Sequence, residues 1–192
     1  MQELVLASSS TYRGEILKKL HLDFISCSRM IDESPLPNEQ ADALAVRLSI
    51  AKAQAVAADY PHHLIIGSDQ VATCGSRLLG KPGNRDNAIE QLTAQSGQKV
   101  TFYTGVCLLD SATGRHLSDI DVCNVYFRNL GDQEIRRYLD IDQPFDCAGS
   151  FKSEGYGITL FDKIEGEDPN ALIGLPLIKL VRLLDGFGWS IP

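Results

Sequence analysis

Short, mainly apolar segments alternate with helical patterns along this chain, and that alternation constrains the fold more than any other feature. Runs of strand length occupy residues 4–7, 24–27 and 64–67. Two longer strands, residues 100–109 and 118–127, are predicted to be joined by a turn at 113–114. Helical patterns run through Leu20 and over residues 38–58, 84–95, 132–139 and 175–185. Strands interleaved with helices predict an α/β fold with a mixed sheet.

The composition indicates one large domain, residues 1–192. A chain of 192 residues with 44% hydrophobic content can bury a sizeable core without disulfides or a structural metal. Its apolar runs are too short to cross a bilayer, and Glu3 stands where a signal peptide would carry Lys or Arg. No sequence signal fixes the oligomeric state, so a homodimer remains open.

The cysteines point to a reducing compartment. They are five in number and widely scattered, and they show neither a disulfide framework nor a zinc-type Cys-x-x-Cys. We therefore expect buried thiols in a cytoplasmic protein. The cysteines are Cys27, Cys74, Cys107, Cys123 and Cys147.

The net charge disfavours nucleic acid as a partner. Eighteen Lys and Arg against twenty-five Asp and Glu leave a net charge of -7, which provides no excess positive field for a phosphate backbone. An anionic small-molecule substrate would need a local basic site, and a bound divalent cation could supply part of that charge.

The segment from Ser8 to Arg13 is a candidate phosphate site. Its hydroxyl groups and free backbone amides stand at a predicted helix start, which is the geometry that receives phosphates. Plain helix capping is the alternative. Arg13 favours phosphate binding, because a cation in the first turn opposes the helix dipole unless an anion is bound there.

Three carboxylates and two lysines are further candidates. Asp69 directly follows an apolar strand, and ligands of α/β proteins tend to lie beyond strand ends; an Asx turn is the alternative. Asp32 and Glu33 lie in a proline-marked loop, where a solvated acidic pair is the ordinary explanation. Carboxylates from separate segments could hold a hard divalent cation. Lys52, on the border of an apolar helix stripe, is expected to bury its stem, and the proline after Lys81 favours an extended backbone. The four histidines show no ligand-like spacing, which indicates surface or packing roles.

Taken together, the motifs resemble the Maf family of nucleotide pyrophosphatases over essentially the whole chain. The resemblance implies an α/β fold of the Maf and ITPase-like type, with a mixed, elongated sheet flanked by helices and a deep cleft. It also implies dependence on a divalent metal such as Mg²⁺ or Mn²⁺, and release of pyrophosphate from nucleoside triphosphates. The matching segments are 6–13, 32–33, Lys52, 67–70, 80–82, 148–155 and the stretch from 168 to 176.

The family pattern implies roles for individual residues. Asp69 corresponds to the catalytic carboxylate and could also bind the metal, for which Glu33 is a further ligand. The implied phosphate contacts are Ser8, Arg13, Lys52 and Lys81.

Three positions resemble the 7-methyl-GTP branch of the family, namely Tyr12, Gln70 and Glu154. The pyrimidine-cleaving branch typically has Thr in place of Gln70 and Gln in place of Glu154. The chemistry agrees, because an ionised Glu only accepts hydrogen bonds, and guanine offers N1–H and N2–H₂ side by side. Methylation at N7 makes the ring cationic, which strengthens a bond to Glu154 and a stack on Tyr12. Without the family pattern, Tyr12 reads as a packing aromatic and Glu154 as a solvated loop acid.

The predicted function is hydrolysis of 7-methyl-GTP to 7-methyl-GMP and pyrophosphate, by attack of water on the α-phosphorus with Asp69 as general base. One alternative is a protein that binds methylated guanine nucleotides without hydrolysing them. Another is a pyrophosphatase for unmodified or differently modified triphosphates.

Overall fold

A computed structural model describes residues 2–191 and confirms the α/β class. The strands are β1 (Leu4–Ala7), β2 (Phe24–Cys27), β3 (Leu64–Cys74), β4 (Arg77–Leu79), β5 (Lys99–Asp110), β6 (His116–Phe127) and β7 (Phe161–Glu165). The α-helices are α1 (Thr11–Leu17), α2 (Ala41–Val56), α3 (Arg85–Gln95), α4 (Asp132–Asp142) and α5 (Leu177–Asp185). Short 3-10 turns cover Lys18–Leu20, Ala148–Ser150, Tyr156–Leu160 and Ala171–Ile173.

The strands form one mixed sheet in the order β2-β1-β3-β5-β6-β7, with β4 paired to β3. Strand β1 runs parallel to both β2 and β3, whereas the β3–β4 and β6–β7 pairs are antiparallel. No helix within residues 2–191 combines the length and the apolar character needed to cross a membrane.

Strand β3 is longer than the sequence predicts. We expected it to end at Gly67, with Asp69 just beyond, but it continues to Cys74 and Asp69 lies inside it. The polar run Ser68-Asp69-Gln70 looks like the end of a strand, yet Val71 and Ala72 resume the buried pattern and β4 pairs with the extension. Strand β7 was also missed, because it is short and largely exposed.

The chain divides into two compact units, each described here by itself. The first comprises the residues up to Gln70, Tyr103–Asp121, and those from Asp168 on. Its strands alternate in the period-2 pattern that places successive side chains on opposite faces. Leu4, Leu6 and Leu64 pack with the apolar side of α5, whereas Val5 and Ile65 pack with α2.

Two glycines let α2 approach the sheet of the first unit closely. A Cβ on Gly67 of β3 would lie 2.0 Å from the carbonyl oxygen of Ser49, and one on Gly105 of β5 would lie 2.4 Å from that of Ala45. Any larger residue would push the helix away. This contact sets the height of α2, and therefore of Lys52, above the strand that carries Asp69.

The second unit comprises Val71–Phe102 and Val122–Glu167. Its centre is an aromatic cluster in which Phe151 packs edge-to-face against Phe102, Phe127 and Phe161, with ring centroids 4.8 to 5.5 Å apart. Edge-to-face pairs contribute about 1 kcal/mol each beyond their buried area. Gly149, in the Gly-rich segment, has φ of 77° and accepts a hydrogen bond from the buried side chain of Gln95. The prediction of one domain over residues 1–192 stays a prediction.

The expectation of buried thiols was only partly correct. None of the five cysteines forms a disulfide within residues 2–191, but only Cys107 and Cys123 are buried. The other three lie near strand or loop ends, where the fold leaves them half-exposed. They are Cys27, Cys74 and Cys147.

Candidate active site

Lys52 joins two of the predicted acidic residues in the first unit. Its ammonium donates a hydrogen bond to Oδ1 of Asp69 and lies 2.8 Å from Oε1 of Glu33. Only 17% of the lysine side chain is exposed, which agrees with the expectation that much of it is buried. Asp69 is buried in the middle of β3, whereas Glu33 lies exposed in the loop between β2 and α2. The geometry therefore places two carboxylates on one cation.

Opposing effects act on the pKa of Asp69. Burial raises it from the ordinary value, because a carboxylate loses water, and the negative charge of Glu33 raises it further. Lys52 and Arg13 lower it by stabilising the ionised form. The two cations are thus what supports an ionised Asp69 in a buried position.

Ser8 and Ser10 shape the start of α1. Ser10 caps the helix, and its hydroxyl accepts a hydrogen bond from the backbone N–H of Arg13 at 3.4 Å. The hydroxyl of Ser8 accepts from the backbone N–H of Ser10 at 3.1 Å and lies 3.5 Å from a terminal nitrogen of Arg13. Capping and phosphate binding are therefore not exclusive, because the cap fixes the loop while the Ser8 hydroxyl and Arg13 are brought together.

Arg13 is held by one backbone carbonyl. Its Nε donates to the carbonyl oxygen of Gly174 at 2.8 Å, which leaves the terminal nitrogens for other partners. Burial lowers the pKa of the guanidinium, and the charges of Asp69 and Glu33 raise it. The group remains a cation at neutral pH, since an arginine is not deprotonated in proteins.

The loop that carries Glu33 is fastened by a pair that sequence reasoning missed. Arg47 of α2 contacts the carboxylate of Glu39 through two nitrogens, at 2.6 and 2.8 Å, and donates to the carbonyl of Ser34 at 3.0 Å. Glu39 also accepts from the backbone N–H of Leu36 at 2.9 Å. This pair lowers the pKa of Glu39 to about 2, chiefly through the Arg47 hydrogen bonds. The sequence offered one signal for this pair, because Glu39 lies just before the start of α2 and Arg47 lies within that helix.

The first unit holds seven of the nine predicted site residues, which are Ser8, Tyr12, Arg13, Glu33, Lys52, Asp69 and Gln70. Lys81 and Glu154 belong to the second unit and are exposed. The Glu154 carboxylate lies 3.4 Å from the hydroxyl of Ser153. The individual roles assigned to all nine residues stay predictions.

Comparison with known proteins places the chain in a family. The sequence model described as "Maf-like protein" matches residues 3–187. The chain belongs to the Maf-like family. Three curated relatives of this Maf-like protein are named 7-methyl-GTP pyrophosphatase. The relative from Alcanivorax borkumensis is 55% identical, covering 98% of this chain and 96% of the relative.

The other two relatives are similarly close over their whole lengths. The one from Pseudomonas savastanoi pv. phaseolicola is 53% identical with full coverage of both chains (100% and 100%). The one from Colwellia psychrerythraea is 52% identical over 98% of this chain and 94% of the relative. The recognition of the family from sequence motifs is therefore confirmed.

Two solved structures show weaker similarity. A HAM1 protein from Coxiella burnetii matches with a TM-score of 0.48 and 15% identity, over 68% of this chain and 75% of that chain. The Ham1 protein of Staphylococcus aureus matches with a TM-score of 0.47 and 14% identity, over 81% and 90%.

The site of this Maf-like protein has the donor chemistry of a magnesium-type site, although it is not a complete protein cage. Within residues 2–191, no three His, Cys, Asp or Glu side chains are grouped to hold a metal. Glu33 and Asp69 nevertheless converge on one ammonium, so both carboxylates can reach one cation. Mg²⁺ is commonly held by one or two carboxylates together with substrate phosphates and water. The residues present fit such an ion.

Proposed function

We propose that this Maf-like protein hydrolyses nucleoside triphosphates to the monophosphate and pyrophosphate, with 7-methyl-GTP as the preferred substrate. The grouping of Arg13, Lys52, Glu33 and Asp69 in one unit is the observation that carries the proposal. This grouping offers cationic side chains for phosphate oxygens and carboxylates for a divalent cation, which would add the positive charge that a polyphosphate needs. The full-length relatives are named 7-methyl-GTP pyrophosphatase, and this name supports 7-methyl-GTP as the substrate.

Asp69 is the proposed general base. Its carboxylate would take a proton from a water molecule that attacks the α-phosphorus, after which pyrophosphate leaves. Arg13 and Lys52 would neutralise charge on the phosphate oxygens, which matters most in phosphoryl transfer. Ser8, with its hydroxyl beside Arg13, and Lys81 complete the proposed phosphate contacts.

A divalent cation held by Glu33 and Asp69 would offset the charge of the triphosphate. Lys52 bonds both carboxylates, so its ammonium would exchange carboxylate partners for a phosphate oxygen when the substrate binds. The chain's own contribution is thus to hold the two carboxylates and Lys52 within reach of one point.

Base selection is proposed for Tyr12, Gln70 and Glu154. An ionised Glu154 accepts hydrogen bonds from the guanine N1–H and N2–H₂ groups, and the positive charge of a 7-methylated ring strengthens them. Tyr12 stacks on that ring, which contributes on the order of 1 kcal/mol. We place the reaction in the cytoplasm and require neither nucleic acid nor a membrane for it; a homodimer is compatible with it.

A triphosphate panel tests the proposal. Purified protein with Mg²⁺ or Mn²⁺ is incubated with 7-methyl-GTP, GTP, UTP and dTTP, and pyrophosphate is measured. We expect the highest kcat/KM for 7-methyl-GTP. A protein that binds 7-methyl-GTP but releases no pyrophosphate would be a nucleotide-binding protein, and faster cleavage of UTP or dTTP would overturn the substrate assignment.

A further inference from the structure

Ser68 and Gln70, the neighbours of Asp69 on β3, point away from the Asp69 carboxylate and form hydrogen bonds with the backbone of residues 171–174. Asp69 bonds Lys52 of α2, and Gly67 also faces that helix. Ser68 and Gln70 alternate to the opposite face, as the period of a strand requires. There the hydroxyl of Ser68 lies 3.0 Å from the carbonyl oxygen of Gly174.

Gln70 binds the same segment at the two residues that lie two and three positions before Gly174. Its Nε2 donates to the carbonyl oxygens of Ala171 and Leu172, at 2.9 and 3.0 Å. The amide nitrogen lies 3.1 Å from the hydroxyl of Thr104 on β5, and Thr104 itself donates to Ala171 at 2.9 Å. Three side chains from two strands therefore fasten the backbone carbonyls between Ala171 and Gly174.

Two of these three side chains are fully buried. Ser68 and Thr104 each have 0% exposure, so water does not compete for their hydrogen bonds. The hydroxyl of Ser68 also lies 2.8 Å from the carbonyl of Gly105, which ties the same contact to β5. Buried hydrogen bonds of this kind hold the segment in place more firmly than solvent-exposed ones would.

The fastened segment ends at the carbonyl that holds Arg13. Gly174 accepts from Nε of Arg13 at 2.8 Å, and a single hydrogen bond at Nε sets the direction of the planar guanidinium. Gly174 has φ of 129°, a conformation that strongly favours glycine, and a Cβ there would stand 3.5 Å from Nε. The position of this carbonyl, together with the Ser8 hydroxyl 3.5 Å from one terminal nitrogen, therefore constrains where the terminal nitrogens of Arg13 point.

We infer that Ser68, Gln70 and Thr104 are positioning residues for Arg13, acting through the carbonyl oxygens of residues 171–174. The inference rests on the proposed function in one respect, namely that Arg13 contacts a phosphate. Gln70 then influences the substrate through this segment. Small displacements matter here, since a misplacement of about 1 Å can cost on the order of 100-fold in rate.

The first test observes Arg13 directly by NMR. The Nε–H signal of Arg13, identified by its loss in Arg13→Lys, is followed for solvent exchange in Ser68→Ala and Thr104→Val. Loss of one buried hydrogen bond should speed exchange about tenfold in both variants. Ser49→Ala is the matched control, because Ser49 is equally buried but bonds Val46 within α2. Exchange that is unchanged in Ser68→Ala and Thr104→Val, or equally fast in the control, would overturn the inference.

The second test measures coupling to Arg13. The Kd for the α,β-methylene analogue of 7-methyl-GTP is determined for Thr104→Val, Arg13→Ala and the double variant. Thr104→Val should weaken binding about fivefold when Arg13 is present and less than about twofold when it is absent, because coupled residues are not additive. Additive losses would indicate a general structural role and overturn the inference. A wild-type protein that releases no pyrophosphate would refute the proposed function, and the exchange test would still decide the positioning role.

Discussion

The ammonium of Lys52 donates a hydrogen bond to Oδ1 of Asp69, and the two side chains stand on opposite sides of the contact between α2 and β3. Gly67 makes that contact short, because its missing side chain leaves room for the backbone of Ser49. Without the lysine, burial would leave Asp69 with a pKa still further above its ordinary range. The close helix packing is therefore part of the chemistry of the site.

Asp69→Asn should remove the proposed base while preserving size. Pyrophosphate release is expected to fall about 100-fold or more, because a positioned general base contributes roughly that factor. Asp162→Asn, an exposed aspartate of β7 in the second unit, is the control and should retain activity. Near-normal turnover by Asp69→Asn would remove Asp69 from the catalytic step.

Glu33→Gln should weaken the binding of Mg²⁺ more than it slows the reaction at saturating Mg²⁺. The proposed ion would lose one of two carboxylates, so the Mg²⁺ concentration at half-maximal rate should rise about tenfold. Asp32→Asn is matched in position and exposure, and its carboxylate bonds the backbone N–H of Ser34 instead. Equal Mg²⁺ requirements in the two variants would exclude Glu33 as a ligand.

Glu39→Gln should destabilise the protein in a pH-dependent manner. Arg47 depresses the pKa of Glu39 from 4.5 to about 2, so the ionised carboxylate stabilises the folded state above the unfolded pKa. That stabilisation is lost as the pH falls from about 4.5 through about 2. The difference in Tm between wild type and variant should be largest near neutral pH and should disappear near pH 2.

Glu15→Gln provides the comparison for that measurement, because Glu15 is 71% exposed and pairs with Lys18 at the surface. Its Tm should follow wild type at each pH. If the difference in Tm for Glu39→Gln stayed constant down to pH 2, the carboxylate charge would not be what fastens the loop.

Glu154→Gln should change which base is preferred. A neutral amide both donates and accepts, so it suits the mixed edge of uracil or thymine and loses the charge-assisted bonds to methylated guanine. The ratio of kcat/KM for 7-methyl-GTP to that for UTP should fall about tenfold or more. Glu167→Gln is a control in the same unit. An unchanged ratio would exclude Glu154 from base recognition.

The sequence predicted most of the fold because its strands and helices carry clear periodicities. The bounds of β1 and β2 agree with the expectation, and α3 begins where Asn84 caps it. Strand β3 was predicted too short because local polarity suggested an end, whereas pairing with β4 continues it. Tertiary pairing of this kind is invisible in a single run of residues.

The sequence identified residues of the site, but not which of them contact one another. Lys52, Glu33 and Asp69 were each singled out, yet their meeting depends on the close packing permitted by Gly67. The pairing of Arg13 with the carbonyl of Gly174 joins positions far apart in sequence, and backbone acceptors leave no compositional trace. Alternation along β3 was the one available hint that Ser68 and Gln70 share a face.

Hydrolysis of 7-methyl-GTP in H₂¹⁸O, with both products analysed by mass spectrometry, tests the central claim most directly. Attack of water on the α-phosphorus predicts one ¹⁸O atom in 7-methyl-GMP and none in pyrophosphate. Label in the pyrophosphate, or formation of 7-methyl-GDP and inorganic phosphate, would contradict the account.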